Sequence, residues 1–204
     1  MKKSVKKPTI LDLRPTQFVL GQKEVEFKTS RMKKFNAKQM KDYIDDNVIP
    51  VVIGPKKEMF IIDHHHFARS CWEQGIDSYK IKVLKDLSAL SEKKFWNVMI
   101  DKKWTYLNDQ FGFGPHSPQD LPPNIAYMAN DFYRSLAWAL RNEGYIEKNS
   151  KPFFEFEWGA FFRLNLGFAL NRTNFKKALA VGKKLALSKQ AQGLPGSVSK
   201  RLKI

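Results

Sequence analysis

Two β-branched runs of strand length, residues 51–53 and 59–62, lie on either side of a short turn-like segment. From residue 67 the apolar side chains recur at helical spacing as far as Gly75, a residue type at which helices commonly end. Residues 63–66, between the strand and the helix, are all polar. The pattern therefore predicts a buried strand, a polar corner and a helix in direct succession.

Other short elements are expected around this corner. Strands are predicted at Thr9–Leu13, Val25–Phe27 and Lys80–Leu84, and the last of these alternates polar and apolar residues. Asn36 and Gln39 have the spacing of a capping box and predict the start of a helix. The first part of the chain therefore favours a small mixed sheet with helices.

Helical periodicity dominates the second half of the chain. Helices are expected after Ser91, over Ala126–Asn142 and Phe154–Leu170, and from Thr173 onward. The aromatic residues between 153 and 162 follow one helix, which favours core packing over a base-stacking surface. The predicted fold class is α+β, a small mixed sheet with helices plus a helical C-terminal extension.

The net charge of +16 is concentrated at the two ends of the sequence. Residues 1–7 contain four lysines and no acidic residue, and residues 172–204 contain nine Lys or Arg and no acidic residue. Those ends supply 13 of the 16 charges, which leaves a body of low net charge. A basic tail binds nucleic acid non-specifically or only aids solubility, and the sequence leaves both interpretations open.

These patterns divide the chain into four segments. A basic N-terminal tail is expected at residues 1–8, an α/β domain at 9–88, a helical extension packed on it at 89–171, and a basic helix with a flexible tail at 172–204. The single cysteine, Cys71, excludes an intramolecular disulfide and is expected in the core. No apolar run is long enough to span a bilayer, so we expect a cytoplasmic protein with no membrane partner.

Several motifs in a fixed order resemble a known family. The chain resembles the ParB/sulfiredoxin superfamily and, more closely, the bacterial ParB-like nucleases, over roughly residues 9–170. The motifs that carry the resemblance are Leu13–Gln17, Asp63–His66, Phe95–Trp96, Tyr133–Ala137 and Glu155–Trp158. The superfamily includes DNA-segregation CTPases, sulfiredoxins, free-serine kinases and nucleases, so the resemblance implies a fold more sharply than a reaction.

The polar corner is the main candidate site. The start of a helix favours an anion, and Asp63, His64, His65 and His66 lie where a strand leads into one. We expect His65 and His66 to contact phosphate or act as acid and base, and Asp63 to orient them or to face a metal. The resemblance aligns these residues with the family tetrad, with His64 where many relatives have Gly. The alternative is that these side chains only cap the helix.

Three further candidates lie elsewhere in the segment 9–88, and a fourth lies on the loop predicted at residues 108–124. Arg14 and Gln17, which follow the first predicted strand, are expected to reach a ligand at the corner or to stabilise a turn. Arg69 is expected to replace a family arginine, because Phe67 stands at the position where the superfamily often has one. His116 is a candidate residue of a lid, although a lone loop histidine is more often surface.

Two charged positions complete the predicted site. In related kinases a glutamate ahead of the His corner helps to activate the acceptor hydroxyl, which implies Glu24, or else Glu26, as a catalytic residue here. Arg134, on the helix predicted over Ala126–Asn142, is a ligand-binding candidate. The alternative for Arg134 is a buried ion pair with Glu155 or Glu157, which we consider the better account.

These observations favour a protein that binds a phosphate-bearing ligand, a nucleotide in the first instance, with phosphoryl transfer or hydrolysis as the reaction class. Mg²⁺ would then accompany the nucleotide, because it neutralises phosphate charge, and no site built for a metal is predicted. The alternatives are the nuclease activity that the family label implies and a non-catalytic, DNA-associated partition-type protein. No helix-turn-helix pattern is evident, which weakens the second alternative.

Overall fold

The computed structural model describes residues 8–200. The strands in this range are β1 (Leu13–Pro15), β2 (Val19–Leu20), β3 (Ile49–Ile53), β4 (Met59–Ile61), β5 (Ile81–Asp86) and β6 (Ala129–Asn130). The helices are α1 (Gln22–Met32), α2 (Ala37–Asp46), α3 (His65–Glu73), α4 (Glu92–Asp101), α5 (Phe132–Asn142), α6 (Phe154–Asn165) and α7 (Phe175–Ala186). This composition confirms the α+β fold class.

The chain forms two compact units, each assembled from separate stretches of sequence. Within the described range, the first unit contains the residues up to Phe18, Phe27–Leu107 and Pro115–Met128. The second unit contains Val19–Glu26, Asn108–Gly114 and the residues from Ala129 onward. The boundaries predicted at residues 8, 88 and 171 cut the chain into consecutive segments, whereas each unit combines stretches that are separate in the sequence. The predicted division stays a prediction.

A four-stranded mixed sheet is the framework of the first unit. Its strand order is β1-β4-β3-β5, with β1 and β4 parallel, β4 and β3 antiparallel, and β3 and β5 parallel. The β-branched runs predicted around residues 51 and 60 form the two central strands, which are buried as such runs usually are. A register shift between Val51 and Val52 interrupts the pairing with β5.

Helix α4 covers part of this sheet through the apolar stripe expected after Ser91. The Phe95 ring is tilted against the ring of Phe60 in β4, with centroids 4.8 Å apart. The Trp96 ring packs edge-on against Phe60, with centroids 5.4 Å apart. Gly54 is required beside this cluster, because a Cβ there would lie 2.6 Å from the Phe60 ring and 2.9 Å from Phe95. Aromatic packing therefore fixes the turn that leads into β4.

The second unit has a helical core beside the parallel pair of β2 and β6. Its buried centre is formed by apolar side chains of α5, α6 and α7, including Leu136, Leu140, Trp158, Phe162 and Ala178. Trp158 and Phe162 are fully buried, which confirms core packing for the aromatic residues of this segment.

Three local predictions were wrong. Val25–Phe27 lies inside α1, and within the strand predicted at Thr9–Leu13 the residues Ile10–Asp12 form a 3-10 turn, so that β1 begins only at Leu13. Helix α5 starts at Phe132, later than expected, because the Asp131 carboxylate caps it by accepting hydrogen bonds from the Tyr133 and Arg134 N–H groups.

Other local predictions hold. The capping box of Asn36 and Gln39 is present at the start of α2, with both reciprocal hydrogen bonds formed. Cys71 is fully buried, and burial raises the pKa of its thiol to about 12, as expected for a core cysteine.

The predicted basic N-terminal tail is residues 1–8, of which residues 1–7 lie outside the described range, as do residues 201–204. The described part of the C-terminal segment contacts the rest of the second unit: the Trp158 indole donates to the Pro195 carbonyl at 2.8 Å, and the Glu147 N–H donates to the Gly196 carbonyl at 2.7 Å. Among residues 8–200, none of the helices has the length and apolar character needed to cross a bilayer.

Candidate functional site

The polar corner forms where β4 gives way to α3, both in the first unit. His64 adopts a left-handed backbone conformation, with φ 64° and ψ 24°, directly before the helix starts. The Asp63 carboxylate accepts a hydrogen bond from the His64 N–H at 2.6 Å, and the Ala68 N–H donates to the His64 carbonyl at 2.9 Å. His64 therefore occupies the N-cap position of α3, and its side chain makes no capping hydrogen bond.

His65 points into the protein. It is 2% exposed, and its Nε2 accepts a hydrogen bond from the Thr16 N–H at 3.3 Å. Burial lowers the pKa of His65 to about 3, against the opposing effect of Asp63, so the ring is neutral at physiological pH. A neutral ring with an accepting Nε2 is suited to holding backbone in place, and this burial does not fit the direct phosphate contact expected for His65.

Thr16 holds the corner in place, and the sequence analysis did not single it out as a candidate. Its hydroxyl donates to the Ile61 carbonyl at 2.7 Å, and its own carbonyl accepts from the Thr105 hydroxyl at 2.8 Å and the Tyr106 N–H at 3.0 Å. Thr16 thereby joins the end of β4, the His65 ring and the chain after α4. The sequence feature that could have identified Thr16 is its place as a polar residue inside the Leu13–Gln17 motif, directly after the proline that ends β1.

The other three corner residues remain accessible. Asp63 is exposed, and His64 and His66 are half-buried. The Ser70 hydroxyl donates to the His66 carbonyl at 2.8 Å, which supports the first turn of α3. The corner therefore has one exposed carboxylate and two half-buried imidazoles, while the third imidazole is buried and bonded to Thr16.

Arg69 holds α3 against a neighbouring turn. Its Nε donates to Glu73 at 2.9 Å, and its Nη1 donates to the carbonyls of Ile125 and Ala126 at 3.1 and 3.0 Å. The guanidinium also lies over the Trp72 ring, 4.9 Å from its centroid. These contacts give Arg69 a structural role that the sequence did not indicate, because its carbonyl partners are more than 50 residues away.

The remaining candidates of the first unit also have internal partners. Arg14 Nη1 pairs with Glu58 at 2.7 Å. Gln17 is 8% exposed, and its backbone forms a parallel bridge with Tyr106. The His116 N–H donates to the Leu107 carbonyl at 2.8 Å, and its ring packs edge-on against Phe18.

Glu24 and Arg134 meet in the second unit. Glu24 Oε2 lies 3.4 Å from Arg134 Nη2, which also contacts Glu155 closely, and Glu155 pairs with Arg141 Nε at 2.6 Å. The Glu24, Arg134 and Glu155 side chains are at most 12% exposed. The buried ion pair that we considered the better account of Arg134 therefore forms, with Glu24 as a second acidic partner.

A protein-built metal centre has no basis in the described range. Among residues 8–200, no three His, Cys, Asp or Glu side chains come together in a way that could hold a metal ion. The adjacent histidines of the corner differ in burial, with His65 buried and His64 and His66 half-buried.

Comparison with known proteins identifies the family. A family model described as "Putative ParB-like nuclease" matches residues 7–164. The crystal structure of protein Atu1540 from Agrobacterium tumefaciens is similar, with 34% sequence identity, a TM-score of 0.82, and a match that covers 94% of this chain and 96% of that chain. No curated protein matches the sequence. Since the family model spans more than half of the chain and includes the corner, this chain belongs to the ParB-like nuclease family.

Proposed function

We propose that the corner at the start of α3 binds a phosphate-bearing ligand, with a nucleotide as the first choice. The observation that carries this proposal is the left-handed conformation of His64, a non-glycine residue, directly before the helix. A side chain in that region costs about 1 kcal/mol or more, and such strain concentrates at functional sites. The positive end of the α3 dipole adds a local preference for an anion.

The side chains of the corner have different proposed roles. His64 and His66 supply imidazoles, which change charge near neutral pH and can donate to phosphate oxygens when protonated. His65 is a positioning residue, because its neutral ring fixes the corner to Thr16. Phosphoryl transfer or hydrolysis is the reaction class we propose, with His66 as the acid or base and Asp63 as the group that orients it.

Mg²⁺ fits this proposal only as a companion of the ligand. The ion needs near-octahedral oxygen coordination and commonly binds through one or two carboxylates together with substrate phosphates. The exposed Asp63 carboxylate is a donor of this type. When bound, the ion would neutralise phosphate charge, and the chain's own contribution would be to hold the phosphates at the corner.

A thermal-shift panel tests the proposal. ATP, ADP, CTP and a DNA duplex are each added with and without Mg²⁺ to the wild type and to His64→Ala/His66→Ala. A ligand at a hundred times its Kd stabilises by about 2.7 kcal/mol, which is several degrees in Tm for a chain of this size. We expect a nucleotide to give this shift in the wild type and to lose most of it in the double variant.

Asn97→Ala is the control, since it truncates an exposed, uncharged side chain of α4 outside the corner. Equal loss in the control, or no nucleotide shift in the wild type, contradicts the proposal. Mg²⁺-dependent DNA cleavage that the double variant abolishes would instead assign the nuclease activity named in the family description.

A further inference from the structure

We propose that the outer edge of β5 is a docking site for an extended acidic peptide, which adds a strand to the sheet of the first unit. This inference is independent of the phosphate site. Strand β5 ends the order β1-β4-β3-β5, and within residues 8–200 no other strand pairs with its outer edge. An unpaired edge is a template for main-chain hydrogen bonds with another extended segment.

The exposure of β5 is unusual for a six-residue strand. All of its residues after Ile81 are exposed, and the apolar Val83 and Leu84 are 47% and 46% exposed. The register shift opposite Val51 and Val52 leaves Leu84 without a direct partner on β3. Two successive exposed apolar side chains on an uncovered edge favour a partner strand that would cover them.

A half-open cavity of about 570 Å³ adjoins the start of this edge. Its lining is formed by Pro8, Val48, Tyr79, Lys80, Ile81 and Lys82. Tyr79 is 3% exposed, and its hydroxyl donates to the Pro8 carbonyl, which fixes one wall of the cavity. Strand addition obtains affinity from the backbone and specificity from side-chain pockets, and this cavity offers room for one large apolar anchor.

Charge indicates which partner fits the edge. Lys82 and Lys85 are exposed on β5, whereas Lys80 pairs with Asp45 at 2.5 Å and Asp86 lies 3.5 Å from Lys57. An antiparallel second copy centred between Val83 and Leu84 would place Lys82 opposite the other copy's Lys85, and like charges in that position are destabilising. The chain's own residues 1–7 carry four lysines and would be repelled as well. An acidic strand is complementary.

Fluorescence anisotropy with a designed probe tests the site. The probe is a labelled eight-residue peptide that alternates glutamate with valine and carries one phenylalanine as the anchor. A second peptide of the same sequence is N-methylated at every residue, which removes the main-chain donors on both of its edges. We expect saturable binding of the first peptide and at least about tenfold weaker binding of the second, together with slower amide exchange at residues 81–86 on binding.

Matched charge reversals separate the edge from general electrostatics. Lys82→Glu/Lys85→Glu changes β5, and Lys93→Glu/Lys94→Glu makes the same charge change on exposed positions of α4. We expect the β5 variant to lose at least about tenfold in affinity, and the α4 variant to change less than about twofold because long-range terms are screened.

Four outcomes overturn the proposal. They are the absence of saturable binding by the wild type, equal binding of the N-methylated peptide, equal loss in the α4 variant, and self-association of the wild type that the β5 variant abolishes. The last outcome would assign the edge to a second copy of the chain. Because the wild type with the two peptides is informative by itself, the test does not depend on the variants folding.

Discussion

At the scale of the residue, the two neighbouring histidines of the corner have opposite environments. His65 is 2% exposed and neutral, because burial lowers its pKa to about 3 and its Nε2 must stay unprotonated to accept from Thr16. His64 is half-buried and holds a backbone conformation that glycine adopts most easily. The presence of a histidine there adds an imidazole at the expense of local strain.

The burial of His65 predicts a pH-dependent stability. A histidine whose folded pKa lies below its unfolded value near 6.5 contributes stability above the unfolded pKa, and this is lost as pH falls toward about 3. Between pH 7 and pH 5 we expect this residue to remove about 2 kcal/mol from the free energy of unfolding. His65→Gln should lack that component in urea titrations at the two pH values.

Replacement of a different histidine controls for this measurement. His116→Gln should retain the pH-dependent loss that His65→Gln lacks. If the wild type and His65→Gln lose the same free energy between pH 7 and pH 5, His65 is not a buried neutral histidine.

At the scale of the element, buried charges connect the helices of the second unit. Arg134 and Arg141 of α5 both pair with Glu155 of α6, and Arg134 also reaches Glu24 of α1. The Arg134 guanidinium lies over the Phe156 ring at 5.6 Å, so the ion pairs are embedded in aromatic packing. Charges in such surroundings depend on each other, because an unpaired buried ion is costly.

Two glutamates two residues apart on α6 make a direct comparison possible. Glu155→Gln leaves Arg134 and Arg141 with less negative charge in a buried setting, and we expect a loss of about 3 kcal/mol or more in the free energy of unfolding. Glu157→Gln breaks a pair with Lys151 whose side chains are 36% and 52% exposed, and it should cost at most about 1 kcal/mol. Denaturant titration measures both. Equal effects would mean that burial does not govern these pairs.

At the scale of the whole molecule, the basic C-terminal sequence is part of a folded unit as far as residue 200, where the described range ends. Ala178, Gly182 and Ala186 of α7 are buried, and a Cβ on Gly182 would lie 2.9 Å from a methyl group of Leu140. The lysines of α7 and the turn after it are largely exposed. Removal of residues 172–204 would therefore damage the second unit, so a test of nucleic-acid binding by this segment should change charge and keep the backbone.

Glutamine substitution of four exposed lysines in this segment provides that test. We expect weaker binding to duplex DNA at low salt. The salt slope, which is the slope of log K against log salt concentration, should decrease in magnitude by up to about 0.9 for each phosphate that the variant no longer neutralises. The Tm should change little, because surface substitutions usually alter stability by about 0.5 kcal/mol or less. The substituted positions are Lys176, Lys177, Lys184 and Lys189.

A second set of four exposed lysines in the first unit is the charge-matched control, and its substitution should leave the salt slope nearer that of the wild type. The same change of slope in both sets would attribute DNA binding to net charge instead of to the C-terminal segment. The control positions are Lys33, Lys34, Lys38 and Lys94.

Sequence patterns located most elements of the fold and the corner itself. Several elements depend on contacts within a few residues, and the periodicity of the sequence therefore indicates them. They are the strands around Val52 and Phe60, the capping box at Asn36 and the helical stripes of α4 and α6. The pattern failed at Val25–Phe27, where a short run with two residues of high strand propensity is helical. A short apolar run is ambiguous, and its surroundings decide its conformation.

The amino-acid sequence by itself determined the α+β class, the place of the Asp63–His66 corner and the membership of Arg134 in an ion pair, since these follow from local patterns and motif order. Only the tertiary structure decided which histidine is buried, that Thr16 holds it, and that Arg69 binds the carbonyls of Ile125 and Ala126. The physical reason is that burial and hydrogen bonding depend on groups that chain folding brings together from distant positions, and no local spacing encodes those partners.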